Sequence, residues 1–367
     1  MLGGNSRSQA TLVEMAHDSD KRARTSPQNS KSPSSNGHNL NHDNSQLSDN
    51  DEELIVSKEG VGIHTGRLAR VEVKESLENG IHFSFTEDNT RFSCPAQWER
   101  LSGTTRSTAL VMRGDSRKKV QVSMIEHFMS MAHIWNLDKV DVQLSILNHA
   151  KSNASSAEIE HVEVPVLDGS SLEWCTSIKA RSLVPQERAV WVIAKTFEHR
   201  DGDRLIRFEA AQPNEAHKTQ YFFQGNFGPE IYQENSFSMN WIDPTDSQLA
   251  YLKNIAPART IGFLHEIEAL RARGLALGGS LDNALVIDGS KILNPGGERI
   301  KNELAAHKLL DAVGDFALAG RPILGNIMLK SAGHALHLRS LQLAFEEGCL
   351  QAGYLKPDGR ILASSAL

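Results

Sequence analysis

Apolar and polar positions alternate along much of this chain, and the ordered pattern begins at Leu54. ARVEVKE (69–75) places an apolar side chain at every second position, the period of a half-buried strand. ENGIHFSF (78–85) adds a turn signal and a second alternating run, so these two segments predict a hairpin. TALVM and KVQVS continue the strand pattern. SMIEHFMSMAHIWN (123–136) then switches to helical spacing, with Ser123 as N-cap and Glu126 three residues on, a capping box. DKVDVQLSIL returns to strand, and VEVPVLDGSS ends in an Asp-Gly turn.

The second half repeats this order. RAVWVIAKTFEH, DRLIRFEA and KTQYFFQGNF alternate like strands. TDSQLAYLKNIA reads as a helix, and FLHEIEALRARG as another that stops at the C′ glycine Gly274. NALVIDG is a short strand, a long helix runs from about 300 to 319, and SLQLAFEEG is the last helix. Two halves, each with strands and then helices, predict an α+β fold of two similar domains packed together. Their expected spans are 53–184 and 185–348, with a linker near 183–186 and a C-terminal extension over 349–367.

Composition separates off the N-terminus. From His17 to Glu52 the only apolar side chains are Ala23, Leu40 and Leu47, so residues 1–52 cannot offset their ordering entropy and are expected to be a disordered polar tail. For the whole 367-residue chain, 40% apolar and 23% charged residues are ordinary for a globular protein. A net charge of -6 gives no footprint for nucleic acid or for an anionic membrane surface. No stretch approaches the ~18 apolar residues of a spanning helix, so stable membrane insertion is not expected. Cys94, Cys175 and Cys349 lie far apart without CxxC spacing, which argues against a thiolate zinc site or a disulfide framework. A cytoplasmic protein is the expectation.

Candidate chemistry centres on NELAAHKLLDAVGD (302–315). With 15 His and 45 Asp plus Glu, H-x-x-x-[DE] should arise by chance about twice. It arises at His199/Asp203 and at His307/Asp311, so the spacing alone carries nothing. On the long helix, Leu309, Val313, Phe316 and Ala317 share a core stripe, while His307, Asp311 and Asp315 follow one another on an adjacent face. A solvated face more usually carries Lys and Glu in i,i+4 pairs. Metal site and polar face both remain open on this pattern.

The motifs GVGIHTGR, SMIEHFMSMAHIWNLDKVDVQL, EVPVLDGSS, ARTIGFLHEIEALRARGLALGGSLDNALVID, NELAAHKLLDAVGD and AGHALH run in that order. Residues 54 to about 345 thereby resemble the UDP-3-O-acyl-N-acetylglucosamine deacetylases, the zinc amidases of lipid A biosynthesis. The resemblance implies helices packed between two sheets and an active site at the domain interface. It also implies removal of the N-acetyl group of the UDP-linked acylated sugar, an early committed step, in the cytoplasm of a Gram-negative-type bacterium, by a monomer. The implied metal ligands are His127, His307 and Asp311, holding one Zn2+, with Fe2+ as the alternative. Two neutral imidazoles and one carboxylate leave a fourth position for water, whose pKa falls toward 7.

Glu126 matches the family's general base, a role that competes with the capping box. His334 matches the acid that stabilises the oxyanion and protonates the leaving amine, with Asp315 holding it charged. Thr260 matches a hydroxyl donating to the tetrahedral oxygen. Lys308, about 100° from the metal stripe, matches the residue that meets the nucleotide phosphates, and His64 one that lines the mouth of the site. An insert near 262–288 would wall an apolar acyl passage, with Leu264 and Ile267 on one side; core packing of that helix is the other reading. Ile261, Ala306 and Ala332 stand where the family usually has an aromatic, an arginine and a serine, which bears on substrate affinity more than on chemistry. Two rival readings are a zinc amidase for another N-acetyl sugar and a binding protein that has lost turnover.

Overall fold

The structure, a computed structural model, describes residues 53–147, 159–178 and 187–363. The expected polar tail and the expected linker lie outside these residues. Six α-helices are described: α1 (Glu126–Ile134), α2 (Leu172–Ser177), α3 (Thr245–Asn254), α4 (Leu264–Ala272), α5 (Glu303–Ala317) and α6 (His334–Glu346). None of the described helices is long and apolar enough to cross a membrane.

Strand Val140–Ile146 is buried at five of its seven positions, and that decides the first sheet. It lies between Leu68–Glu75, which it pairs antiparallel, and Ile81–Glu87, which it pairs in parallel. The two runs expected to form a hairpin are therefore separated by a third strand. Alternation shows which face of a strand is buried and leaves its neighbour open; in the middle strand Val140, Val142, Leu144 and Ile146 are buried on one face, while Ser145 on the other is exposed. Leu54–Val61 and Thr90–Pro95 complete the order at the two edges. A four-stranded sheet built from Leu101–Gly103, Ala109–Met112, Lys119–Ser123 and Ile159–Glu163 completes the first half.

The second half is built on an eight-stranded sheet whose hub is Ile323–Lys330. That strand pairs with Arg188–Ile193, Arg204–Glu209 and Lys218–Asn226. The expected single strand over 188–199 is two, Arg188–Ile193 and Phe197–Asp201. Four strands of this sheet escaped the pattern: Tyr232–Asn240, Ile323–Lys330, Leu350–Leu355 and Ile361–Ala363. The first is half polar because only one of its faces meets the core, so little hydrophobic signal marks it.

Between the large sheets lie α1 and α5. Phe128 of α1 meets Phe83 of the first sheet with ring centroids 6.1 Å apart, and Phe316 of α5 meets Phe208 of the second at 5.6 Å. The two helices pack on each other, giving an α+β layering of sheet, helix, helix, sheet. They come into backbone contact range at Gly314, where an added Cβ would lie 2.1 Å from the carbonyl oxygen of Glu126. Only a residue without a Cβ lets α5 run this near α1. Gly314→Ala is expected to destabilise the fold by about 1–3 kcal/mol, as overpacking does. Urea unfolding of the purified variant measures it, and an unchanged midpoint would refute the close approach.

The start of α1 departs from expectation. Ser123 is still in strand, paired with Glu163, and Met124 takes the left-handed region at φ 59° before Ile125 caps the helix. Neither Ser123 nor Glu126 forms a capping box, because the parallel ladder holds Ser123 extended and Glu126 is the first residue of the helix. Its carboxylate is thereby free for another task. α5 is capped from outside: Gln233, on a neighbouring strand, accepts the N–H groups of Leu304 and Ala305 at 3.0 and 3.2 Å. Arg259 grips Glu303 in the first turn of α5 through Nε and Nη2, at 2.8 and 2.9 Å, both side chains buried. This fork fastens the segment carrying Ala258 and Thr260 alongside α5.

Candidate metal centre and active site

Nearly the whole of α5 is buried, its polar face included; Lys308 alone among its residues is half-buried. The face carrying His307, Asp311 and Asp315 is turned to α1 and to the start of α6, not to water. It meets Glu126 and His127, in the first turn of α1, and His334, the first residue of α6.

The ligating atoms of His127, His307 and Asp311 lie within 4.8 Å of one another, and all three residues are buried. His307 Nε2 is 3.4 Å and His127 Nε2 is 3.8 Å from Asp311 Oδ1. Ligand atoms around a tetrahedral zinc, with bonds of about 2.0–2.1 Å, stand roughly 3.3–3.5 Å apart. His307 Nδ1 donates to the carbonyl oxygen of Ala258 at 3.1 Å, which leaves Nε2 with a lone pair facing the carboxylate. Burial, reinforced by His307, pushes His127 down to about 3; burial likewise lowers His307. Burial alone would raise Asp311, yet His307, Lys308, His334 and His127 together hold it well below the ordinary carboxylate range. The trio is two neutral imidazoles and an anion, and Asp311 Oδ1 is buried with no hydrogen-bond partner among the described residues. Lone pairs that converge on an unpartnered buried oxygen fit a divalent cation. His199, the chance match, instead pairs with Ser340 Oγ at 2.9 Å.

Beside this trio stand an acid and a base. Glu126 Oε2 accepts the N–H of Thr108 at 3.1 Å, while Oε1 lies 3.8 Å from His334 Nε2. Burial raises Glu126 to about 7 against the lowering by His334, with Asp315 and Asp311 adding to the rise. His334 Nδ1 donates to Asp315 Oδ2 at 2.8 Å, so its Nε2 faces Glu126 and, at 3.8 Å, Asp311 Oδ2. Burial would lower His334, but Asp315 and Asp311 outweigh it and hold the imidazolium up to about 10. Asp315, which burial would raise, is pulled down to about 2 by His334 and His337. Two residues that sequence reasoning missed complete this pair: Thr108 Oγ1 donates to Asp315 Oδ1 at 2.5 Å, and His337 Nδ1 to Oδ2 at 2.8 Å. The i,i+3 histidines of HALH carried a signal for His337; nothing local marked Thr108.

Lys308 lies at the edge of the cluster. Its ammonium curls back to Asp311 Oδ2 at 2.9 Å, because i and i+3 are neighbours on a helix surface. Thr260 is held by its backbone, its N–H on Gly169 O at 2.7 Å and its carbonyl accepting Leu285 N–H at 2.8 Å. Gly169, at φ 86°, is required there, since a Cβ would sit 2.0 Å from Asn283 O. His64 occupies the loop after the first strand; its N–H meets Glu163 at 3.1 Å and its carbonyl accepts from Leu277. Ile261 packs on the core, whereas α4 buries none of its residues: Leu264 and Ile267 stay half-exposed. Ala306 and Ala332 are buried.

The sequence model of the UDP-3-O-acyl N-acetylglycosamine deacetylase family matches residues 53–345. The chain belongs to this family. Among curated members, it is 33% identical over 291 residues to the UDP-3-O-acyl-N-acetylglucosamine deacetylase of Helicobacter hepaticus, covering 78% of this chain and 87% of that protein. The enzyme of the same name from Wolinella succinogenes is 33% identical over 292 residues, 78% and 87% of the two chains. That from Anaeromyxobacter dehalogenans is 33% identical over 285 residues, 77% and 82%. The family match spans both halves and so contains every residue of the buried cluster.

Proposed function

We propose that this chain hydrolyses the N-acetyl group of UDP-3-O-acyl-N-acetylglucosamine, releasing acetate and UDP-3-O-acyl-glucosamine, a step of lipid A biosynthesis. The observation that carries the chemistry is the unpartnered Asp311 Oδ1 facing two imidazole nitrogens, with an ionisable carboxyl and an imidazolium on either side of it. His127, His307 and Asp311 would hold one Zn2+, or Fe2+ in its place. Such a cation supplies Lewis acidity, lowering the pKa of a water and polarising the acetamide carbonyl.

Glu126 takes a proton from the attacking water as its oxygen bonds to the acetamide carbon. The Thr260 hydroxyl donates to the oxygen that becomes negative, and the His334 imidazolium stabilises the same charge. His334 Nε2 then gives its proton to the sugar nitrogen as the carbon–nitrogen bond breaks, leaving acetate and a free amine. The 3.8 Å gap between His334 Nε2 and Glu126 Oε1 supports base and acid acting on one carbonyl. His64 lines the mouth of the site. Lys308, at the edge of the cluster, meets the nucleotide phosphates from its exposed side. Leu264 and Ile267 wall the acyl chain, with Ile261 nearer the sugar; their half-exposure, on a helix with nothing in the core, favours a passage over packing. Three free buried cysteines suit the cytoplasm.

The test is acetate release from the acylated nucleotide sugar. A chelator is expected to abolish it, and added Zn2+ to restore it. A substrate lacking the 3-O-acyl chain should be turned over on the order of tenfold less efficiently or worse, since each buried methylene is worth ~0.8 kcal/mol. No acetate from the metal-loaded protein would overturn the reading, and equal efficiency without the acyl chain would overturn the substrate.

A further inference from the structure

His337 is the one histidine of the buried cluster to which the proposed mechanism assigns no task. It is completely buried on α6, one helical turn after His334, so both rings face Asp315 on α5. Both Nδ1 atoms stand 2.8 Å from the same oxygen, Asp315 Oδ2. Those contacts are hydrogen-bond lengths, so each Nδ1 carries a proton. The same geometry argues against reading Asp315, His334 and His337 as a second metal group, although their ligating atoms lie close together. His337 Nε2 is buried and has no hydrogen-bond partner among the described residues, and its ring lies 5.7 Å from that of Phe316. A proton on Nε2 as well would leave a buried N–H donor without an acceptor among the described residues. The ring is therefore a neutral Nδ1–H tautomer, consistent with its lowered pKa, which burial causes against the pull of Asp315.

Asp315 thus receives three donors: Thr108 on Oδ1, and His334 and His337 on Oδ2. The terminal torsion of an aspartate is broad and roughly two-fold. One donor per oxygen would let the carboxylate rock; two donors from different directions on Oδ2 fix where that oxygen sits. That oxygen sets the direction of the His334 ring, and so the aim of Nε2 at the reacting nitrogen.

We propose that His337 is a positioning residue for the acid, holding Asp315 Oδ2 so that His334 Nε2 points into the metal cluster. This rests on the reading of His334 as the acid. It assigns His337 a neutral, donor-only task that a side chain with a nitrogen at the Nδ1 position can perform and one without it cannot.

Three variants of the full chain, loaded with one equivalent of Zn2+, separate this from plain packing. Asparagine carries its amide where the ring has Nδ1, glutamine carries it nearer Nε2, and leucine has no donor. His337→Leu is expected to lower kcat roughly 10- to 100-fold, the usual effect of removing an outer-shell partner, with KM within threefold and zinc retained. His337→Asn should recover most of kcat, and His337→Gln should resemble His337→Leu. In 15N-histidine NMR of the wild-type protein, metal-free and zinc-loaded, His337 should show a protonated Nδ1 and an unprotonated Nε2 in both states. Wild-type kcat in folded His337→Leu, equal rescue by glutamine and asparagine, or an Nε2–H tautomer in the wild type would each overturn the assignment. The NMR result stands even if His337→Leu does not fold. Absence of acetate release by the wild type would instead overturn the proposed function and leave the tautomer measurement intact.

Discussion

His127→Ala is expected to lose metal and turnover together, whereas Glu126→Ala keeps the metal and loses most of the rate. His127 offers a neutral nitrogen to the cluster, and without it two ligands remain, His307 and Asp311. Glu126 adjoins the cluster, accepts the N–H of Thr108 and lies 3.8 Å from His334; in the proposed reaction it takes a proton and holds no metal. Removing general-base assistance costs on the order of 10²- to 10⁴-fold. Metal content by elemental analysis, beside acetate release for each variant, checks the pair. Equal metal loss in both would make Glu126 a ligand.

The second large effect concerns Asp315→Asn. The rate should rise as Glu126 ionises, between the ordinary carboxylate range and about 7. It should fall as His334 loses its proton, above the ~6.5 of a free histidine and at or below about 10. A bound cation draws both limbs down, since positive charge favours the deprotonated forms. Asparagine at 315 removes the largest of the charges that hold His334 protonated, so the falling limb moves to lower pH. The maximal rate drops on the order of 10²-fold or more as the acid is lost near neutrality. A falling limb that stays in place in a folded, active Asp315→Asn protein would show that His334 is not the titrating acid. The pair also links fold stability to pH. The His334 contribution is present below ~6.5 and lost as pH rises toward about 10. That of Asp315 is present above ~3.8 and lost as pH falls toward about 2.

Much of the site was legible through motif resemblance, and less of it through local physics. The stripe His307, Asp311, Asp315 followed from the helical period alone, and α5 carries all three on its buried face. That this face would be buried did not follow, because a polar stripe reads the same whether it meets water or another polar stripe. Reading Ser123 as a cap was sound local chemistry, overridden by the parallel ladder to Glu163. Lys308 turned to Asp311 because a charge three residues away on one helix outweighs its ideal angular position.

The amino-acid sequence by itself determined the faces: which positions of each strand go inward, where α4 stops before Gly274, and which groups share a side of α5. Those are consequences of backbone period and turn chemistry within a few residues. Only the tertiary structure decided the partners. It set Val140–Ile146 between two strands that looked like a hairpin, and let α1 and α5 touch at a glycine. It also brought His127 to His307 and Asp311, and Thr108 and His337 to one carboxylate. Such pairings join residues far apart in the chain, and what selects them is the burial and hydrogen bonding of the whole core, to which no local window has access.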